Sequence, residues 1–248
     1  MNQGYRKRIY ERYASIIHSS SLHYDNHSMR RWGQPYHHYL KGWLPSNPTA
    51  KILEIGCGGG RMLFFLKNIG YLNIEGVDIS SEQVDLSRNI LTSESIYESD
   101  AIPFLESRSN SFDLILGLDI IEHLQKDECF QFLDAAFQAL KPGGRLVLQT
   151  PNAASPWGSE YRYGDFTHEL GFTPDSLKGV LSVVGFQGIE IREMRPVLIN
   201  LKSAIRLFLW RLIRLFLMAW NYIEIGNPGS RVYTRNMLIS GKTPFHNQ

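Results

Sequence analysis

The stretch KILEIGCGGGRMLFFL, residues 51–66, decides how this chain is read. Its first half is a short run of apolar residues and its second half is spaced as a helix, with glycines between. A strand that turns through glycine into a helix opens a βαβ unit. Glycines at such a turn permit positive φ and let the backbone approach a ligand, and the helix start offers free N–H groups to a carboxylate or phosphate. Glu54, Gly56, Gly58 and Gly60 give the spacing E-x-G-x-G-x-G. A dinucleotide site wants G-x-G-x-x-G, whose last glycine, counted from Gly56, would fall on Arg61. Glu54, two residues before the first glycine, suits a ligand carrying an ammonium group. The turn alone is equally compatible with binding nothing.

Outward from this turn, β-rich runs alternate with amphipathic ones. NIEGVDIS reads as a second strand, and Ser80 or Ser81 can cap the helix SEQVDLSRNILT. SIYESD is a weaker third strand and FDLILGLD a fourth. CFQFLDAAFQALKPGG is a helix stopped by Pro142, followed by the strand RLVLQT. TPDSLKGVLSVVGF is a capped helix, and GIEIREM and RVYTRNMLISG are the last two strands. Alternating β and α units predict an α/β, doubly wound, mostly parallel sheet with ligands at the carboxyl ends of its strands. Residues 1–45 read as an N-terminal helical cap and 46–248 as the sheet domain, interrupted at 200–224 by a helical insertion.

Composition sets the outer limits. The 248 residues carry a net charge of +2, with 43% hydrophobic and 20% charged residues, as expected of an ordinary globular chain. Two cysteines, Cys57 and Cys129, cannot build a disulfide framework, so a reducing, cytoplasmic setting is expected. The N-terminus has charges but no apolar run behind them, so no secretory signal is read there. Residues 201–223 are interrupted by Arg206, Arg211 and Arg214 and fall short of the roughly 20 apolar residues of a membrane span. Nucleic acid is not an expected partner, since no basic stripe with interleaved aromatics occurs outside that segment.

Further residues surround the glycine turn. Asp78 ends the second strand, where a carboxylate can accept both hydroxyls of a ribose or cap the next helix. Asp100 and Ala101 follow the third strand, at a position for an adenine amino group or for a plain loop turn. FDLILGLDIIEHL and LKPGGRLVLQTPN follow in order. With these motifs the chain resembles the class I S-adenosylmethionine-dependent methyltransferases of the type 11/12-like kind, from about Lys51 to Phe186. The resemblance implies a seven-stranded Rossmann-like sheet whose final strand inserts antiparallel. It implies that Glu54, Gly56, Cys57, Gly58 and Gly60 hold the methionine part of S-adenosylmethionine and Asp78 the ribose, with Ile79 also at the cofactor. Asp100 and Ala101 would then take the adenine, and Asp119 would lie beside the sulfonium end.

Methyl transfer is an in-line displacement in which positioning supplies much of the rate, and an oxygen acceptor also needs a base. His123, just after the fourth strand, and His168, in the loop after the fifth, are the candidates. Asp165 is expected to orient His168. The alternatives are structural: Glu122 and His123 can cap the next helix, and His168 can brace its loop. His37 and His38 have no cysteine or carboxylate at ligand spacing, and only Asp119 and Glu122 follow the fourth strand, so no metal is expected.

In LKSAIRLFLWRLIRLFLMAWNYI, Leu201, Ile205, Phe208, Leu212, Leu215, Phe216 and Ala219 share one face. Lys202, Arg206, Arg211 and Arg214 share the other, and Trp210 and Trp220 suit an interface. That is the pattern of a basic amphipathic helix on an anionic membrane, with docking on the core, a homodimer contact and a lid over the pocket as alternatives. The cluster Arg6, Lys7, Arg8 and Arg12 can join the same basic face or be solvated. The cap offers Tyr13, Tyr36 and His38 to an acceptor, with no spacing argument to choose among them.

IYERYASIIHSS, DFTHELGFTPDSL and VYTRNMLISGKTP further resemble methyltransferases of bacterial cell-surface polysaccharide biosynthesis. That likeness implies O-methylation of a sugar hydroxyl on a glycan or its lipid-linked precursor, at the inner face of the plasma membrane. The rivals are a quinone-biosynthesis type of O-methyltransferase, a non-catalytic cofactor-binding module and, disfavoured by Arg61, a nicotinamide oxidoreductase.

Overall fold

The computed structural model describes residues 5, 6, 9, 25–91 and 95–245. Helices α1 (Asn26–Gly33) and α2 (Tyr36–Tyr39) lead into β1 (Lys51–Ile55), α3 (Arg61–Asn68), β2 (Asn73–Asp78), α4 (Ser81–Leu91) and β3 (Ile96–Glu98). Next come α5 (Ala101–Glu106), β4 (Phe112–Leu118), a 3₁₀ turn (Ile121–His123), α6 (Lys126–Ala139) and β5 (Leu140–Pro151). The chain continues through α7 (Gly158–Gly164), α8 (Pro174–Val184), β6 (Gln187–Glu193), α9 (Leu201–Ile225) and β7 (Asn236–Lys242). The strands form one sheet in the order β3-β2-β1-β4-β5-β7-β6. β1 to β5 are parallel, and β7 runs antiparallel to both β5 and β6.

The central strands are buried on both faces, so β4 reads as a continuous apolar run. Alternate residues divide between the two faces: Ile115 packs with Phe132 and Leu133 of α6 and Leu177 of α8, whereas Leu114 and Leu116 pack with Tyr36, Trp43, Met62 and Phe65. This two-sided core holds the carboxyl ends of β1, β2, β4 and β5 in one row.

Three boundaries differ from the sequence expectation. The helix expected to reach Pro142 stops at Ala139, because the residue before a proline is driven out of the α region. Lys141–Gly144 loops out at the start of β5 instead, where the pairing with β4 slips from Phe112↔Leu140 to Leu114↔Arg145. The last strand begins at Asn236, not Arg231, which has a left-handed φ of 59°. Helix α9 is capped by Asn200 and Gly226, and none of its residues is fully buried. Leu207, Trp210, Arg214 and Leu217 form its half-buried stripe, and Arg214 Nε lies 3.2 Å from Glu193 of β6. Trp210 and Arg214 therefore face the protein, not the outward surfaces expected of them. Leu201, Phe208, Leu215 and Phe216 are all at least 59% exposed. Among the described residues no helix is long and apolar enough to cross a membrane.

Candidate active site

The glycine turn leaves β1 with three left-handed residues, Gly56, Gly58 and Gly60, at φ of 66°, 48° and 79°. Gly56 and Cys57 donate their N–H groups to the Val77 carbonyl at 2.8 and 3.1 Å, which ties the turn to the end of β2. Asp78 closes the arrangement: Oδ2 accepts from Gly58 N at 2.8 Å and Oδ1 from Ser80 N at 2.9 Å. The left-handed Gly60 begins α3 with no side-chain cap.

A cleft of about 1060 Å³ opens above this turn and extends to the loop after β5. Glu54, Gly56, Cys57, Gly58, Asp78 and Ile79 line one end of it, with Asp100 and Ala101 beyond them. Asp119, His123, Asp165 and His168 line the other end. Of the site residues expected from sequence, Gly60 alone stays outside the lining; its part is to set the backbone. Asp100 doubles as the cap of α5, accepting from Ile102 N at 3.2 Å. Tyr36 and His38 are placed elsewhere: Tyr36 is buried and donates its hydroxyl to Gln149 Oε1 at 2.8 Å, and His38 faces Arg195 at 3.1 Å. Tyr13, Lys7, Arg8 and Arg12 lie outside the described residues. Arg6 lines the cleft, clamping both carboxylate oxygens of Glu128 at 2.8 and 2.7 Å and donating to the His123 carbonyl at 2.8 Å.

The cofactor end is an unbalanced acidic site. Glu54 is 3% exposed, its Oε2 has no hydrogen-bond partner among the described residues, and burial, with Asp78 nearby, pushes its carboxyl well above the usual range. Burial also raises Asp78. A buried and a half-buried carboxylate fit a ligand that brings an ammonium group and hydrogen-bond donors. The half-exposed Ile79 offers an apolar face beside them.

The second end is assembled from two loops. Asp119 turns the chain out of β4 at a left-handed φ of 53°, a conformation that a non-glycine residue keeps only under constraint. Gln149 supplies it: its backbone carbonyl accepts from Asp119 N at 3.0 Å, and its Nε2 donates to Asp119 Oδ2 at 2.7 Å. Burial lifts the Asp119 carboxyl to about 6. The Glu122 carbonyl then accepts the N–H groups of Glu169 and Leu170 at 2.8 and 2.9 Å, joining the 3₁₀ turn to the loop after β5. This brings the rings of His123 and His168 to a centroid distance of 4.7 Å.

Asp165 is connected differently from the dyad expected with His168. Its Oδ1 accepts from Thr167 N at 2.8 Å and from the Thr167 hydroxyl at 2.6 Å. Thr167 Oγ1 in turn lies 2.9 Å from His123 Nδ1. His168 Nδ1 is held by the Tyr161 carbonyl at 2.9 Å. Burial holds His123 down to about 4, so its ring is neutral near pH 7. Thr167, Tyr161 and Gln149 carried no signal in the sequence, because each acts through a contact that only the folded loops create. One ring nitrogen from each histidine and one Glu122 carboxylate oxygen all lie within 4.8 Å of one another. No metal was expected from the sequence because His37 and His38 lack further ligands at suitable spacing and only Asp119 and Glu122 follow the fourth strand; the fold instead brings His168 to Glu122 and His123.

Comparison with known proteins places this geometry. A family model described as a methyltransferase domain matches residues 22–191, more than two thirds of the chain. A ubiquinone biosynthesis O-methyltransferase of Chelativorans sp. (strain BNC1) is 27% identical over 149 residues, 54% of this chain and 58% of that protein. An S-adenosyl-L-methionine-dependent Diels-Alderase of Talaromyces variabilis is 27% identical over 240 residues, 83% of this chain and 78% of that protein. The crystal structure of a SAM-dependent methyltransferase from Archaeoglobus fulgidus superposes with a TM-score of 0.65 at 21% identity, covering 92% of this chain and 99% of that one. The chain thus spans little more than half the length of the Chelativorans relative. It belongs to the methyltransferase-domain family, with the class I S-adenosylmethionine-dependent fold, and S-adenosylmethionine is that family's methyl donor.

Proposed function

We propose that the chain is an S-adenosylmethionine-dependent methyltransferase acting on an oxygen acceptor, a sugar hydroxyl of a cell-surface glycan or its lipid-linked precursor. The observation that carries methyl transfer is the single cleft joining the acidic glycine turn to a histidine pair. S-adenosylmethionine, when bound, supplies an electrophilic methyl group on its sulfonium. Glu54 would hold its ammonium group, Asp78 the ribose, and Asp100, Ala101 and Ile79 the adenine. Asp119 bounds the passage to the histidines.

Arg6, Glu128, Glu160, Asp165 and His168 line the cleft together with apolar residues such as Trp32, Ile120 and Leu124, and the lining is more apolar than polar. The charged, hydrogen-bonding part of this lining suits the hydroxyls of a sugar, and its apolar part suits the carrier or ring that bears them. The Tyr161 carbonyl can only accept, so His168 carries its proton on Nδ1 and leaves the Nε2 lone pair for the acceptor. His168 would take the acceptor's proton as the methyl arrives. The second reading, a quinone-type phenolic acceptor, is favoured by the relatives named as ubiquinone biosynthesis O-methyltransferases.

A basic hollow of about 560 Å³ lies beside α9, lined by Lys41, Arg192, Arg195, Arg214 and Arg231 among others. With the exposed apolar residues of α9 it supports contact with an anionic lipid surface. A homodimer through the same apolar face is the competing use of it.

The experiment is calorimetric titration with S-adenosylmethionine and, separately, NADH. Micromolar binding of S-adenosylmethionine alone is the expected result; NADH binding, or binding of neither, would remove the proposal.

A further inference from the structure

Glu122 is a buried carboxylate whose role the cofactor end of the cleft does not account for. It is 2% exposed and sits behind the cleft lining, next in the chain to His123, which lines it. Thr150 donates to its Oε2 at 3.0 Å, and its Oε1 has no hydrogen-bond partner among the described residues. A buried carboxylate oxygen without a donor is costly, and no cationic side chain is paired with Glu122 in the structure's ion pairs. What lies next to it is two imidazoles.

Both imidazoles are held in one tautomer by partners that leave no choice. The Thr167 hydroxyl spends its proton on Asp165, so its oxygen accepts from His123 and puts the proton of that ring on Nδ1. The Tyr161 carbonyl does the same for His168. In its neutral form each ring then has Nε2 as its free nitrogen. One ring nitrogen of each histidine and one Glu122 carboxylate oxygen lie within 4.8 Å of one another, a cluster of donor atoms of the kind that gathers round a cation.

We infer that Glu122, His123 and His168 bind a divalent cation of borderline hardness, in the range from Mn²⁺ to Zn²⁺, with open positions facing the cleft. Two histidines and a glutamate make a donor set that such ions accept at about 2.0–2.2 Å, so the side chains would draw closer together around a bound ion. Imidazole N–H groups held by a carbonyl and by a hydroxyl–carboxylate relay are the outer contacts that orient metal-binding histidines. Thr167, Asp165 and Tyr161 thereby acquire a task that loop bracing does not require of them. The open positions suit a hydroxyl oxygen of the acceptor. With the cation in place the hydroxyl ionises against its charge and releases its proton to water, and His168 serves as a ligand, not as the direct base. That consequence rests on the proposed function, whereas the binding of the ion does not.

The test is titration of the full-length, chelator-stripped protein with Co²⁺, read by visible d–d absorption and by calorimetry. One Co²⁺ per chain with nitrogen-type bands is expected, with the bands lost in H168Q and E122Q. T167V, which touches no ion, should weaken binding by about 10- to 100-fold. Far-ultraviolet circular dichroism checks that each variant is folded, and T167V stands in if the others are not. Absence of bands in the wild type, or unchanged affinity in folded H168Q and T167V, overturns the inference. S-adenosylmethionine titrated into the same preparation separates the two ideas. Its binding without Co²⁺ removes the ion and keeps the methyltransferase; Co²⁺ binding without it does the reverse.

Discussion

The two ends of the cleft are built on different principles. The glycine-turn end is local: Gly58 and Asp78 are 20 residues apart, and one βαβ unit with parallel pairing between β1 and β2 sets their geometry. The histidine end is composite. His123 and Thr167 are 44 residues apart, and they meet because the Glu122 carbonyl captures the N–H groups of Glu169 and Leu170. A local site is buffered by its own secondary structure, whereas a composite one inherits the errors of every loop that builds it.

Substitutions should therefore separate the two ends, and Asp78→Ala is expected to do so most strongly. Hydrogen bonds to a charged group are worth about 1.5–3 kcal/mol each, so losing two should weaken S-adenosylmethionine binding by at least about 100-fold in calorimetry. An affinity near that of the wild type would remove Asp78 from the cofactor end. His168→Ala is the mirror case. Turnover should fall at least roughly 100-fold while the dissociation constant for S-adenosylmethionine stays put, and a loss confined to cofactor affinity would show the two ends to be one unit.

Gly158→Ala probes the scaffold of the composite end. A Cβ there would lie 2.8 and 2.9 Å from the carbonyl oxygens of Ala153 and Asn152, and α7 carries the Tyr161 carbonyl that holds His168. Overpacking of this kind costs about 1–3 kcal/mol, or roughly 2–4 °C of melting temperature per kcal/mol in a chain of this size. Turnover should fall with it and cofactor affinity should not; equal loss of both would contradict a locally buffered cofactor end. The smallest effect is expected at Phe216→Ser, on the outer face of α9. Stability should change by less than about 0.5 kcal/mol while co-sedimentation with anionic vesicles drops. Vesicle binding that does not change would leave that face to another partner.

The same contrast explains what the sequence reveals. E-x-G-x-G-x-G, Asp78 and the strand runs are short-range patterns, so the doubly wound sheet and the glycine turn could be read from them, whereas the antiparallel last strand came only with the family resemblance. His123 and His168 could be named from their positions after strands, but the partners of Asp165 could not, because Thr167 and Tyr161 matter only once the loops have closed. Helix α9 shows a further limit. Apolar residues occur nearly all round it, so periodicity defines a helix without saying which stripe docks. Arg214 is drawn inward by Glu193 of β6, a residue that no local pattern connects to it.

The position of α9 in the chain has its own consequence. It occupies the β6–β7 connection, and both strands are held by the sheet without its help, β7 through its ladders to β5 and β6. Lengthening such a connection is cheap, about 0.6 kcal/mol for each doubling. The helix is thus a replaceable insert: its length and outer face can change without editing the row of strand ends that lines the cleft.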